Sequence, residues 1–184
     1  IGVLHVQRDN SQSFTEDEQQ FLSTIGTSLS LTLRNADAHQ DLQDMALRDP
    51  LTGVLNRRAL DEPLTRELKS GLRYSAPACL MILDLDYFKT VNDRLGHMAG
   101  DSVLKELATL MSETVRDVDV VGRYGGEEFA IVLPHTSIRQ AHTLAERLRS
   151  QIESHAFVVE DGIARLTTSI GIADVCNPAI ASVD

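Results

Sequence analysis

Two apolar runs in the second half of the chain flank a pair of glycines. Residues 118–124 and 129–133 are strand-like, and Gly125, Gly126, Glu127 and Glu128 lie around the junction. Such runs joined by a glycine pair are typical of a β-hairpin with a tight turn. The two carboxylates begin the second strand, where successive side chains point to opposite faces, so we expect them to have different roles. A solvated acidic turn is the alternative interpretation.

A second acidic turn follows a different apolar pattern. Residues 78–83 are apolar without alternation, which favours a strand buried on both faces of a sheet, and Asp84 follows directly. A carboxylate at this position is costly to bury without a partner, and a divalent cation such as Mg²⁺ is a suitable one. If the two strands are neighbours, Asp84 and Glu127 converge at one edge of the sheet.

A long helix is predicted near the start of the chain. Residues 1–6 favour a short strand, and the helix runs from Glu16 to about Arg48, with Thr15 and Glu18 forming a capping box. Apolar residues recur along it at coiled-coil-like spacing, so we expect it to pair with a second chain rather than lie on its own domain. They are Leu22, Ile25, Leu29, Leu33, Ala36, Leu42, Met45 and Ala46.

The middle of the chain alternates helix and strand patterns. Asp49-Pro50 ends the long helix, and Asn56 caps a helix over residues 57–70 that Pro63 should kink or split. Another short helix covers residues 87–95 and stops at Gly96.

Two amphipathic helices and a hairpin complete the pattern. One helix begins at Asp101 as N-cap, and the other covers residues 138–152. Residues 157–159 and 165–173 favour a closing hairpin around Asp161-Gly162. The order of elements predicts an α+β fold, with helices packed on a largely antiparallel sheet.

Composition restricts the class of partner. The 184 residues carry a net charge of −10, with a pI of about 5.0, which argues against nucleic-acid backbone or anionic membrane as a general partner. No apolar run approaches the roughly 20 residues that a membrane span needs. Cys79 and Cys176 stand apart in apolar strands, so we expect buried free thiols and a reducing, cytoplasmic location.

Five ordered motifs cover about residues 47–175. They are Asp49-Pro50-Leu51-Thr52-Gly53-Val54-Leu55-Asn56-Arg57-Arg58, Asp84-Leu85-Asp86-Tyr87-Phe88-Lys89, Asn92-Asp93, Gly96-His97-Met98-Ala99-Gly100-Asp101 and Arg123-Tyr124-Gly125-Gly126-Glu127-Glu128-Phe129. This series resembles the GGDEF family of diguanylate cyclases, with the signature in its GGEEF form. The resemblance implies a ferredoxin-like palm akin to nucleotide cyclases and polymerases. It also implies condensation of two GTP into cyclic di-GMP with release of two pyrophosphates.

The resemblance also implies a metal site. Asp84, Glu127 and the Leu85 carbonyl would hold two Mg²⁺ or Mn²⁺ ions in each half-site. Glu128 either completes that site or helps to take the proton from the attacking 3′-hydroxyl. The sequence does not assign that proton to one of the two glutamates. We expect Asp86 and Asp93 to cap a helix or to be solvated at the surface.

Substrate contacts follow from the same resemblance. Backbone amides at the helix start around Phe88 and the side chain of Lys89 would bind phosphate oxygens. Asn92 and Asp101 would read the guanine edge, because a carboxylate accepts from the N–H donor pair that adenine lacks. His97 either contacts the nucleotide or holds the loop that precedes Asp101.

A second nucleotide site is implied upstream of the signature. Arg116 and Asp119 form an Arg-x-x-Asp pattern that resembles the family's inhibitory site for the product. There Arg116 would clamp a phosphate or a guanine edge, and Asp119 a guanine amide. A salt bridge at a helix end is the alternative interpretation of this pair.

The implied mechanism requires a homodimer, since one half-site binds one GTP. Residues 1–37 resemble the last strand and helix of a GAF sensor domain, residues 38–48 form a helical linker, and residues 49–184 form the cyclase domain. In the family a further helix carries a lysine and an arginine that grip the triphosphate. We expect the chain to lack that C-terminal part. Two rival functions are an inactive module that binds GTP or cyclic di-GMP and a dimerising scaffold of signalling helices.

Overall fold

The structure is a computed structural model, which describes residues 5–7, 13–160 and 162–175, and only the backbone of residues 37–46. The chain divides into two compact units, Ile1–Ala46 and Leu47–Asp184. Most of the strand predicted over residues 1–6 lies outside the described residues, and His5 and Val6 are not in a strand. Among the described helices, none is both long and apolar enough to cross a membrane.

Helix α1 (Glu16–Leu47) begins at the predicted capping box. The Glu18 amide donates to Thr15 Oγ1 at 3.3 Å, and the Thr15 amide donates to Glu18 Oε2 at 2.8 Å. Two helix-start donors are thereby satisfied. Along the predicted apolar seam, Leu29 and Leu33 are 48% and 59% exposed. The pairing of this seam with a second chain stays a prediction.

The second unit is built on a five-stranded sheet in the order β1-β3-β4-β2-β7. Among the described strands, only β1 and β3 pair in parallel, and β5 and β6 form a separate two-stranded sheet. The strands are β1 Leu55–Asn56, β2 Cys79–Leu85, β3 Val120–Gly125, β4 Glu128–Leu133, β5 Phe157–Val159, β6 Gly162–Ala164 and β7 Thr168–Asp174. The helices are α2 Arg57–Tyr74, α3 Phe88–Leu95, α4 His97–Thr114 and α5 Ile138–Ser154. This mixed, mostly antiparallel sheet with flanking helices confirms the predicted α+β class.

The core lies mainly on one face of the sheet. Apolar side chains of α4 and α5 pack there against alternate residues of β2 and β4, and a smaller cluster packs α2 on the opposite face. The expectation that residues 78–83 are buried on both faces is wrong. Met81 and Leu83 are fully buried on the α4–α5 side, whereas Ile82 on the other side is 40% exposed, because the α2 cluster does not cover it.

Two helix predictions need correction. Asn56 Oδ1 caps α2 as expected, accepting from the Ala59 amide at 3.0 Å, but α2 is not split at Pro63, and the alternative of a kink there stays a prediction. Proline removes only one backbone hydrogen bond, and the buried face of α2 holds the rest. Asp101 is not the N-cap of α4, because that helix already begins at His97, directly after Gly96.

The predicted closing hairpin is also wrong in its pairing. β5 pairs with the short strand β6, and β7 instead pairs with β2 over seven positions, from Cys79↔Asp174 to Leu85↔Thr168. A seven-residue ladder beside the central strand satisfies more backbone groups than a three-residue hairpin could. Cys79 is buried, as expected, and its Sγ donates to the Thr136 carbonyl at 3.3 Å, whereas Cys176 lies outside the described residues.

Candidate active site

The glycine-rich turn joins β3 to β4 as predicted, with a register shift between Arg123 and Gly125. Only Glu128 begins β4. Glu127 stands in the turn and is half-buried, whereas Glu128 is exposed. The expectation that both carboxylates lie in the strand is therefore corrected, because the ladder resumes one residue later. Their different surroundings still favour different roles.

The second acidic turn lies beside the first. β2 and β4 are neighbours, and Asp84 pairs directly with Glu128 as the last pair of that ladder. Burial raises the pKa of Asp84, and the negative charges of Glu127, Glu128 and Asp86 raise it further. The convergence of carboxylates from both turns, predicted from the sequence, is present.

These carboxylates suit a hard cation. Within the described residues no ion pair neutralises Asp84, Glu127 or Glu128. A divalent cation would offset the mutual repulsion that raises the pKa of Asp84. Across the described part of the chain, no group of three or more His, Cys, Asp or Glu side chains is placed to hold a metal ion by itself. Mg²⁺ usually takes one or two carboxylates together with substrate phosphates.

Arg123 braces the glycine-rich turn, a role that the sequence did not reveal. Its Nε and Nη2 donate to the Gly126 carbonyl at 3.0 and 2.8 Å, and its Nη1 donates to Asp49 Oδ1 at 3.0 Å. The planar guanidinium fork makes both contacts at once, which a lysine cannot do. The signal in the sequence was an arginine next to the glycine pair, but nothing there identified Asp49 as its partner.

Asp49 accepts hydrogen bonds from Thr52 as well as from Arg123. Its Oδ1 accepts from the Thr52 amide at 2.9 Å and from Thr52 Oγ1 at 2.7 Å, in addition to Arg123. Burial alone would raise the pKa of Asp49, but the hydrogen bonds from Thr52 and Arg123 outweigh it, so the pKa is lowered. The ionised carboxylate thus joins the turn that follows α1 to the glycine-rich turn.

A cleft of about 420 Å³ opens beside Glu127. Its lining residues are Phe88, Lys89, Asn92, Asp93, His97, Asp101, Leu104, Arg123, Gly126 and Glu127. All five residues predicted to bind substrate line this cleft. Asp93, which we expected to cap a helix or to be solvated at the surface, lines it as well. The structure therefore brings the predicted substrate residues and one predicted metal ligand into one cleft.

The floor of the cleft depends on the close approach of α3 and α4. Gly96, with φ of +82°, ends α3 and lets α4 start at once. A Cβ on Gly100 would stand 2.0 Å from Asn92 Oδ1 and 3.1 Å from Phe88 Cζ. The missing side chain at Gly100 therefore leaves the space in which the Asn92 carboxamide sits.

The segment between β2 and α3 turns sharply. Tyr87 adopts a left-handed conformation, with φ of +57°, and no side chain caps the start of α3. Phe88 is buried, whereas Tyr87 is 85% exposed. This geometry places the start of α3 at the cleft, where phosphate-binding amides were predicted.

Asp86 does not cap a helix and is not simply solvated, contrary to expectation. Its Oδ2 accepts from Thr167 Oγ1 at 2.6 Å and its Oδ1 accepts from Ser169 Oγ at 2.7 Å. Thr168 Oγ1 donates to the Asp84 carbonyl at 2.7 Å. Three consecutive hydroxyl residues at the start of β7 thus hold the end of β2.

Arg116 and Asp119 occupy the turn after α4. The Arg116 amide donates to Asp119 Oδ2 at 2.9 Å, and Arg116 Nε lies 3.9 Å from the same oxygen. The Asp119 side chain is fully buried, and its Oδ1 has no partner within the described structure. Both residues line a cleft of about 520 Å³ that shares no lining residue with the cleft beside Glu127.

Comparison with known proteins identifies the family. The family model "Diguanylate cyclase, GGDEF domain" matches residues 46–180. Diguanylate cyclase DgcP of Pseudomonas aeruginosa is 37% identical over 93% of this chain and 26% of its own length. The response regulator PleD of Caulobacter vibrioides is also 37% identical, over 94% of this chain and 39% of its own length. The chain thus spans only a quarter to two fifths of these relatives.

Solved structures share the fold. The coiled coil and GGDEF domain of DgcB from Caulobacter crescentus, in complex with c-di-GMP, matches with a TM-score of 0.76 and 27% identity, covering 84% of this chain and 82% of that one. Diguanylate cyclase SiaD from Pseudomonas aeruginosa, in complex with its activator SiaC, matches with a TM-score of 0.68 and 36% identity, covering 85% and 60%. Since the family model, the relatives and the sheet with its acidic turns agree, this chain belongs to the GGDEF domain family of diguanylate cyclases.

Proposed function

We propose that the chain condenses two GTP into cyclic di-GMP with release of two pyrophosphates. The observation that carries this proposal is the pairing of Asp84 with Glu128 next to Glu127, which itself lines a cleft together with Asn92 and Asp101. Glu127 thereby connects the acidic side chains with the proposed guanine-reading pair. The diguanylate cyclase relatives support the same reaction.

Asp84, Glu127 and the Leu85 carbonyl would hold the cations, Mg²⁺ or Mn²⁺, two to each half-site. The cations supply charge neutralisation on the α-phosphate and on the departing pyrophosphate. Leu85 lies one residue beyond the last β2–β4 pair, which supports a ligand role for its carbonyl. Glu128 stands opposite Asp84, and either it or Glu127 receives the proton of the 3′-hydroxyl.

The chain's own side chains bind and orient GTP. Asn92 and Asp101 read the guanine edge, and Lys89 with the backbone around Phe88 binds phosphate oxygens. His97 is exposed at the start of α4 and lines the same cleft, so it contacts the nucleotide or supports the loop before Asp101. Orientation of the hydroxyl and the phosphate in line supplies much of the rate enhancement.

The cleft at Arg116 and Asp119 is the proposed inhibitory site for cyclic di-GMP. Both residues line this cleft, and the exposed Arg116 side chain would bind a phosphate or a guanine edge. Asp119 Oδ1 is buried without a partner in the described structure, so the Asp119 side chain would turn toward the cleft to accept from a guanine amide of the product. The 3.9 Å ion pair between the two residues is the alternative role of this motif.

The quaternary arrangement is part of the proposal. Two half-sites, each with one GTP, face each other in a homodimer, and α1 pairs with its copy through the exposed seam. Residues 1–37 would end a GAF-like sensor, residues 38–48 would link it to the cyclase domain, and residues 49–184 would form that domain in the cytoplasm. Sensor control would then act on the encounter of the half-sites.

Incubation with GTP and Mg²⁺, followed by mass spectrometry, tests the proposed reaction. Wild-type protein should form cyclic di-GMP, and Glu127→Gln should reduce the rate by at least about 100-fold, because a metal-binding charge is lost. Glu160→Gln removes an equivalent charge from an exposed turn and should leave the rate unchanged.

Absence of product from a confirmed dimer would overturn the cyclase proposal. If GTP still raised the melting temperature of that dimer, the binding-module alternative would replace it. If neither product nor stabilisation by nucleotide were seen, the remaining function would be a dimerising scaffold of signalling helices.

A further inference from the structure

The three consecutive hydroxyl residues at the start of β7 contact β2 at two different kinds of group. Thr167 and Ser169 donate to the two carboxylate oxygens of Asp86, at 2.6 and 2.7 Å. Thr168 donates to the main-chain carbonyl of Asp84 at 2.7 Å. We call these three residues with Asp86 the β7 clamp.

Two carboxylates share a face of the sheet with Ser169, and its hydroxyl donates to only one of them. Ser169 pairs directly with Asp84 across the β2–β7 ladder, so these side chains share a face of the sheet. Asp86 lies on the same face, two residues along the strand. The Ser169 hydroxyl nevertheless donates to Asp86 and not to Asp84. Asp84 is left with Glu128 as its directly opposed acidic neighbour on β4.

Both carboxylate oxygens of Asp86 accept hydrogen bonds from residues of the β7 clamp. Hydroxyl-to-carboxylate distances of 2.6 and 2.7 Å are those of charge-assisted hydrogen bonds, which are about twice as strong as neutral ones. The Asp86 amide also donates to the Thr167 carbonyl at 3.0 Å. Backbone and side chain of Asp86 are thus fixed to the same segment, between Asp84 and the left-handed Tyr87 that starts α3.

We propose that Asp86 is a positioning residue, held by Thr167 and Ser169, that fixes the end of β2 so that Asp84 and the Leu85 carbonyl face the cation-binding side. Asp86 itself is not a metal ligand. This inference rests on the proposed cyclase function. It explains why two aspartates so close in sequence take different roles. Side chains that orient metal ligands typically change metal affinity or activity 10- to 100-fold when they are removed.

Removal of the hydroxyls tests the clamp without touching an acidic residue. The double variant Thr167→Val with Ser169→Ala deletes both donors, and the double variant Thr167→Ser with Ser169→Thr retains them. Thr143→Val removes a hydroxyl that bonds only within α5, and serves as the control. Mn²⁺ affinity is measured by electron paramagnetic resonance in the presence of a non-hydrolysable GTP analogue, alongside kcat and KM for GTP.

Deletion of both hydroxyls should weaken Mn²⁺ binding and lower kcat, each by about tenfold, with a smaller change in KM. The hydroxyl-retaining variant and the control should stay within twofold of wild type. Adding Asp86→Ala to the hydroxyl deletion should cause little further loss, because the three residues act as one unit. Circular dichroism should remain unchanged, since Thr167 and Ser169 are exposed.

Two results would overturn the proposal. One is Mn²⁺ affinity unchanged by the hydroxyl deletion. The other is a further loss of tenfold or more when Asp86 is replaced in that background, as expected for a direct ligand. Failure of the cyclase proposal can be told apart from failure of the clamp proposal. If the cyclase proposal is wrong, wild-type protein forms no product, but the Mn²⁺ titrations still measure the effect of the clamp residues on metal affinity.

Discussion

Arg123 connects two turns that are distant in the sequence. Its guanidinium reaches the Gly126 carbonyl on one side and Asp49 on the other, and both Arg123 and Asp49 are largely buried. The position of Glu127, which adjoins Gly126, therefore depends on one planar side chain. Arg123→Lys would keep the charge but lose the fork.

The Asp49 carboxylate should make stability depend on pH. Its pKa is lowered in the folded protein, so its contribution is full above the unfolded value of about 3.9 and is lost as the pH falls through the folded value. Asp49→Asn should destabilise by about 1–2 kcal/mol at pH 7. Urea unfolding at pH 7 and pH 3 measures the difference, which should shrink at the lower pH.

Asp61→Asn, at an exposed position of α2, is the control for this measurement. It should change stability by less than about 0.5 kcal/mol at either pH. An Asp49→Asn effect of equal size at pH 7 and pH 3 would show that the carboxylate charge is not the source of the stabilisation.

Two glycines give a matched test of the nucleotide cleft. A Cβ on Gly100 would meet Asn92 Oδ1, whereas a Cβ on Gly122 would stand 2.6 Å from Leu60 in the α2–β3 packing. Gly100→Ala should raise KM for GTP roughly tenfold by displacing the Asn92 carboxamide, which we propose reads guanine. Gly122→Ala should instead cost about 1–3 kcal/mol of stability by overpacking, with KM unchanged.

Steady-state kinetics and thermal unfolding of both variants separate the two effects. A Gly100→Ala protein with wild-type KM would remove Asn92 from the proposed guanine contacts. If Gly122→Ala raised KM as well, the change at Gly100 could not be assigned to the cleft.

At the scale of elements, periodicity predicted the amphipathic helices well. The apolar stripe of α5 is buried throughout, because a 3.6-residue repeat determines which side of a helix packs on the sheet. Its members are Ala141, Leu144, Ala145, Leu148 and Ile152. Strand pairing was less predictable. β7 pairs with β2 and not with β5, and no local pattern identifies a partner that lies so far away in the sequence.

Glu106 should anchor the small β5–β6 sheet to α4. Its Oε1 lies 2.8 Å from His155 Nε2, and its Oε2 accepts from the Val158 amide at 3.2 Å. Glu106→Ala should speed amide hydrogen exchange in β5 and β6 by about tenfold, while KM for GTP stays the same, because the nucleotide cleft does not include this sheet. Exchange followed by mass spectrometry measures the change.

Glu113→Ala is the control, because Glu113 is exposed on the same helix and, within the described residues, forms no hydrogen bond or ion pair with β5. Equal exchange rates in the Glu106 and Glu113 variants would mean that apolar packing of Phe157, and not the carboxylate, holds the sheet in place.

At the scale of the molecule, the sequence predicted which site residues lie close together but not the hydrogen bonds that hold them in place. The convergence of Asp84 and Glu127 was predicted because acidic residues beside buried strands are costly without a partner, whereas the direct pairing of Asp84 with Glu128 was seen only in the structure. The contacts of Arg123 with Asp49 and of Asp86 with β7 were missed, since they depend on how separate turns are placed in three dimensions. Local propensities carry no information about such contacts.

Assembly should depend on the exposed seam of α1. Leu29→Asp introduces a charge at an apolar position that is 48% exposed in the single chain, and should shift the protein from dimer to monomer with a loss of product formation. Ser23→Asp adds the same charge off the seam and should leave the mass unchanged. Light scattering coupled to size-exclusion chromatography reports the mass. A dimer that persists in Leu29→Asp would contradict pairing through α1.

The strand order also bears on when a folding chain becomes an enzyme. β3 and β4 are adjacent in sequence, and hairpins of this kind close within about 1–10 μs. Asp84 reaches Glu128 only after the chain has closed a loop through α3, α4 and β3, and the β7 clamp arrives later still along the chain. Long-range pairings of this sort form slowly. A nascent chain can thus display a complete glycine-rich turn before its carboxylates have assembled, so incompletely folded molecules would lack the proposed cation site and should form no cyclic di-GMP.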